Sequence, residues 1–154
     1  MRRALRGLLV AGFSSAALLF SGSAVAQQQP QQETSPYVQA VIDRLSALVT
    51  PMAQQGYPNY EVIGFNAINS GATETINYTA ADAQDVVLVA VCDTDCTDID
   101  LRVRNNGGVV GEDVLTDAVP VVPVAAGGRP LNIDVIMAAC SQNPCVYGVA
   151  VFRR

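Results

Sequence analysis

The sequence predicts a mainly β protein, an antiparallel β-sandwich of jelly-roll-like form preceded by one N-terminal amphipathic helix. Three observations carry that expectation. Apolar residues recur at helical spacing over a single segment, 38–52, and after Tyr57 the period falls to two. Two short cysteine loops, Cys92-Asp-Thr-Asp-Cys96 and Cys140-Ser-Gln-Asn-Pro-Cys145, each occupy a turn between apolar runs.

Residues 1–26 carry the parts of an export signal: Arg2, Arg3 and Arg6, an apolar stretch over 8–20, and the small-residue site Ala24-Val25-Ala26. A spanning helix needs about 20 apolar residues. This stretch is shorter and is broken by Gly12, Ser14 and Ser15, so cleavage near Ala26 is expected and no transmembrane segment. No cysteine falls within 1–26 to take a lipid. Residues 27–34 are a glutamine-rich polar tract with too little apolar surface to fold, expected as a disordered linker. A single domain should follow over 35–154, with a helix over 36–49 and the sandwich over 59–153.

The helix is predicted by Val38, Val41, Ile42, Leu45, Leu48, Val49 and Met52, which line one face. Ser35-Pro36 supplies an N-cap hydroxyl and a proline at the first helical position, and Pro51 sets the expected end near Val49. Strands are predicted over 59–66 and 73–79, separated by Asn69-Ser70-Gly71, and over the continuous apolar run 86–91. The run 98–104 alternates, with Ile99, Leu101 and Val103 on one face, and Asn105-Asn106-Gly107-Gly108 reads as a hairpin turn. Residues 109–115 and 119–124 are weaker strands, the second placed at an edge by Pro120 and Pro123. Leu131, Ile133, Val135 and Met137 alternate within 131–138, and 146–152 is the last strand.

Cys92, Cys96, Cys140 and Cys145 behind an export signal read first as disulfides. Three connectivities are open, and pairing each cysteine within its own turn is the favoured one; a crossed link needs both turns at one end of the sandwich. Loops this short contribute only about 2 kcal/mol each on the chain-entropy model, so they would stiffen turns. A four-thiolate zinc site is the alternative.

Composition excludes much chemistry. The chain has no His, Lys or Trp, so the usual general base, Schiff-base amine and commonest metal ligand are missing. Three of the nine basic residues lie in the signal, which leaves six arginines against fourteen carboxylates, a formal charge of −8. Nucleic acid is excluded as a partner by that charge and by the lack of a basic cluster. Ser35, Ser46, Ser70 and Ser141 have no histidine or lysine to activate them, and the cysteines lack the C-x-x-C spacing of thiol redox sites.

Asp93, Asp95, Asp98 and Asp100 form the densest polar cluster, followed by Glu112, Asp113 and Asp117. Their oxygens are the hard ligands that Ca²⁺ prefers, although the spacing is not that of an EF-hand loop. The alternative is a solvated acidic strand face with Arg102 and Arg104 as cross-strand partners. A third reading makes Asp98 and Asp100, or one of them with Glu112 or Asp113, the carboxylate pair of a glycosidase; the few tyrosines and phenylalanines, among them Tyr57, Tyr60 and Phe65, supply few sugar platforms.

At this segment the chain resembles bacterial pre-peptidase C-terminal domains, the PPC modules of secreted proteins. The likeness lies in Asp98-Ile99-Asp100-Leu101-Arg102-Val103 followed by Asn106-Gly107, in 128–135 (Gly-Arg-Pro-Leu-Asn-Ile-Asp-Val), and in Tyr147-Gly148-Val149-Ala150-Val151. It spans about residues 72–152. Leu131 stands where the family has an aromatic residue, and the cysteines and leading helix lie outside its pattern. The resemblance implies a β-sandwich with a non-catalytic accessory or binding role, and Asp98 and Asp100 match the family's acidic motif. The expectation is therefore an exported, disulfide-braced module, periplasmic or extracellular, without a cofactor unless it holds Ca²⁺. Its partner would be an envelope polysaccharide or a protein.

Overall fold

The computed structural model describes residues 34–80 and 85–154. The export signal expected over 1–26 and nearly all of the glutamine-rich tract lie outside the described residues.

Helix α1 spans Pro36–Gln54 and is followed by eight strands: β1 (Asn59–Ile68), β2 (Thr73–Thr79), β3 (Asp85–Cys92), β4 (Cys96–Asn105), β5 (Gly108–Asp113), β6 (Val121–Ala125), β7 (Pro130–Cys140) and β8 (Cys145–Arg153). Pro36 opens the helix as expected, but the Ser35 hydroxyl makes no capping bond. The helix also runs through Pro51 instead of ending near Val49. Proline there removes one amide donor and strains the preceding turn. Burial of Met52 against the sheet offsets that cost, and the Tyr57 amide closes the end on the Met52 carbonyl at 3.0 Å.

The strands form two antiparallel sheets of four, ordered β1-β8-β3-β6 and β2-β7-β4-β5. The pairs β1·β8, β2·β7, β3·β6 and β4·β5 are those of one long ribbon folded at the β4–β5 turn and rolled into two layers, a jelly roll. That turn has the residues a tight hairpin needs: Asn106 and Gly107 both take positive φ, 48° and 84°. Strand β6 lies at the edge of its sheet, as Pro123 requires, with that proline opposite Val87.

Period-two alternation sets the layers. Ile99, Leu101 and Val103 of β4 and Leu131, Ile133, Val135 and Met137 of β7 meet Val86, Leu88 and Ala90 of β3 and Tyr147, Val149 and Val151 of β8 between the sheets. The first sheet is apolar on both faces, which explains the unbroken run in β3. Val87, Val89 and Val91, with Ala150 and Phe152, are covered by Val41, Leu45 and Met52 of α1. The helix approaches closely at Gly148, where a Cβ would stand 2.9 Å from both Val41 Cγ1 and Leu45 Cδ1.

Candidate functional site

Both disulfides join cysteines of the same turn: Cys92–Cys96 closes β3 to β4 and Cys140–Cys145 closes β7 to β8, with Cα separations of 5.8 and 6.1 Å. The favoured connectivity holds although Cys96 and Cys140 face each other across β4 and β7, the position from which a crossed link would form. With no free cysteine, the zinc alternative has no thiolate to use.

The two turns are tied together by polar groups. Asp93, only 1% exposed, accepts the amides of Asp95 (3.0 Å) and Cys96 (3.2 Å) on one carboxylate oxygen and that of Val146 (2.6 Å) on the other. Its own amide donates to the Val146 carbonyl at 2.9 Å. Ser141 donates through both its amide and its hydroxyl to the Asp95 carbonyl, at 2.7 and 2.9 Å. Arg44 reaches from α1 to the carbonyls of Cys92 and Asp93, and the Ser70 amide of the β1–β2 turn donates to Asn143 at 2.7 Å. One end of the sandwich is thus fastened through three turns and the helix.

The aspartates expected as calcium ligands divide between this end and the strand beyond it. Asp93 is consumed by three amides, and Asp95 lies in the turn. Asp98 and Asp100 stand on the outer side of β4, on either side of the inward Ile99, where the β4–β7 register is irregular. Among the described residues, no three of the His, Cys, Asp and Glu side chains are placed to hold a metal ion. What gathers around Asp100 instead is Asp98, Asp113 and Asp117. Partial burial, followed by the like charges of these three, pushes its carboxyl above the usual range, opposed by Arg102. One oxygen of Asp98 is buried with no hydrogen-bond partner among the described residues.

The paired-carboxylate reading finds its other members occupied. Glu112 is bonded to Arg102 at 2.9 Å, and Asp113 accepts the amides of Leu115 (3.3 Å) and Val121 (2.9 Å). Farther along the same face, Arg104 donates to both oxygens of Asp134 through Nε and Nη2, at 2.6 and 2.7 Å, and Thr75 donates to the same carboxylate at 2.7 Å. These bonds to Arg104 and Thr75 hold the Asp134 carboxyl below the usual range against the opposing effect of burial. Arg102 and Arg104 are therefore the cross-strand partners the sequence suggested; Asp134, which completes the ladder, was missed. Its signal was available, since it occupies an outward position in the alternation of 131–138.

A second group unmarked in the sequence lies where β1 and β2 close the opposite side of the sandwich. Glu61 and Glu74 stand beside Tyr78 and Tyr147, whose hydroxyls are buried, and burial raises both phenols above the ordinary tyrosine range. Arg153 neutralises Glu61 at 3.4 Å, and Asn66 donates to Glu74 at 2.8 Å. Neither buried hydroxyl has a hydrogen-bond partner among the described residues.

Comparison with protein-family models and with curated proteins finds no match to this chain. Among the described residues, no helix is long and apolar enough to cross a membrane.

Proposed function

We propose that the chain is an exported, non-catalytic binding module of the bacterial envelope, periplasmic or extracellular, that works through its surface. The observation that carries this reading is the fastened end of the sandwich, where two turn disulfides are cross-braced by Asp93 and Ser141. Such bracing belongs to an oxidising compartment. The likeness of 98–103 to the acidic motif of PPC modules supports the accessory role, as does the use of Asp93, Glu112, Asp113 and Asp134 in internal bonds. Carboxylates engaged by amides or by arginine within the fold are not free to face a substrate.

Two measurements test the reading. Protein isolated from its native host should begin near Gln27 and show no thiol labelling before reduction; retention of 1–26 or four labelled thiols would refute export and oxidation. The purified protein should give background rates with glycoside, ester and peptide substrates. Turnover lost in a folded Asp100→Asn variant would replace the module with an enzyme.

A further inference from the structure

We propose that the β5–β6 connection and the adjoining outer face of β4 form a docking ridge for a basic, apolar segment of another protein. This rests on the binding-module reading above and names its partner class. The ridge presents Val114, Leu115, Val119 and Val121, each more than a third exposed and Leu115 68% exposed. Single exposed aliphatic residues are common on protein surfaces, but four within eight positions form a patch of the kind that marks an interaction site.

The loop that carries them is held in shape. Asp113 spans it, accepting the amides of Leu115 at its start and Val121 at its end. Asp117 accepts the Val119 amide at 2.8 Å and donates its own to the Leu115 carbonyl at 2.8 Å. Ile99 of β4 donates to the Asp117 carbonyl at 3.0 Å and Ala90 of β3 to the Pro120 carbonyl at 3.2 Å, so both sheets fix the connection. Several of its main-chain groups are bonded in this way while its aliphatic side chains are exposed. A surface ordered in this way before binding loses less freedom on docking.

Charge selects the occupant. Asp98, Asp113 and Asp117 each lie close enough to Asp100 to repel its charge, and Arg102, the cation beside Asp100, is paired with Glu112. A segment bearing arginine or lysine between apolar residues would neutralise this row while covering the valines and Leu115. A second copy of this chain does not supply such a segment from its described residues. Arg44 and Arg129 are bonded to main-chain carbonyls, Arg102, Arg104 and Arg153 to carboxylates, and Arg154 lies over Tyr57. An anionic membrane would be repelled by the same row.

The test uses mature full-length protein and three fluorescein-labelled peptides of equal length, alternating Leu/Arg, Ser/Arg and Leu/Glu, read by fluorescence anisotropy. The Leu/Arg peptide should bind at least tenfold more tightly than either control. Leu115→Ser, and separately Asp98→Asn with Asp100→Asn, should each weaken it at least tenfold, with circular dichroism unchanged. Asp113 and Asp117 are left intact because they hold the loop. No binding of the Leu/Arg peptide, or equal binding to wild type and both variants, would overturn the ridge. So would binding to phosphatidylglycerol vesicles that competes with the peptide. None of these outcomes bears on the substrate screen, whose failure would refute the module itself.

Discussion

Replacing Asp93 by alanine removes the one acceptor shared by both disulfide turns. Three amides lose their partner, and that of Cys96 is buried. A buried donor left unpaired costs about 1–3 kcal/mol, and bonds to a charged acceptor lie toward the upper end. The amides of Asp95 and Val146 are only partly buried and recover some of the loss from water. The expected destabilisation is therefore about 3 kcal/mol, a large part of the roughly 5–15 kcal/mol that holds a domain together. Asp93→Asn should cost about half as much, since its one oxygen can serve Asp95 and Cys96 while its amide nitrogen faces the Val146 N–H. Equilibrium urea denaturation of the oxidised protein at neutral pH measures both. Thr94→Ala, exposed in the same turn, is the control and should stay within about 0.5 kcal/mol of wild type. An Asp93→Ala variant within about 1 kcal/mol of wild type, or an asparagine variant worse than alanine, would refute the argument.

Other outcomes follow from the same geometry. Asp134→Asn should cost about 2 kcal/mol at pH 7 by weakening charge-assisted bonds to Arg104. Because the folded Asp134 carboxyl titrates below its unfolded value of about 3.9, that contribution is complete above this pH and fades as pH falls through the folded value. Melting temperatures of wild type and variant should accordingly converge in strong acid. Asp100 has the opposite sign: its raised carboxyl opposes folding at neutral pH, so Asp100→Asn should stabilise by a few tenths of a kcal/mol at pH 7, and the gain should vanish in strong acid. Gly148→Ala should lower stability by about 1–3 kcal/mol, seen in thermal melts, because its Cβ meets Val41 and Leu45. Millimolar Ca²⁺ should leave the melting curve where EDTA leaves it, since Asp93 is occupied by amides; a rise abolished by Asp98→Asn with Asp100→Asn would restore the calcium site.

The layers of the fold were legible because burial on one face or two leaves different periods. Alternation in β4 and β7 reported a sheet with one wet face, and the unbroken run in β3 reported a strand covered on both. The end of α1 was not legible. Proline chemistry alone argues for a stop before Pro51, whereas the decisive term is the burial of Met52 against a sheet formed by residues far along the chain. Gly148 is the same case in reverse: a glycine within a strand pattern marks a close approach, but only the structure shows that the helix makes it.

For the acidic residues, spacing showed a cluster and could not assign its members. Asp93 is two residues from Asp95, yet its partners include Val146 of β8, the strand paired with the β3 that leads into its turn. A carboxylate that accepts amides fixes a turn; one that faces other carboxylates holds an unbalanced charge. The sequence offers no mark to separate them, because the difference lies in which long-range neighbour arrives. Asp113 and Asp117 combine the two roles, holding a loop by accepting its amides while lying in the acidic row beside Asp98 and Asp100. The exposed aliphatic residues of that loop read in sequence as a weak strand over 109–115 and 119–124, since an outward valine and an inward one contribute equally to a hydrophobic pattern. Only their exposure in the folded chain shows that Val114, Leu115 and Val119 lie outside the core, on a connection bonded to β3 and β4. The surface we assign to binding is therefore the region in which apolar sequence and buried position part company.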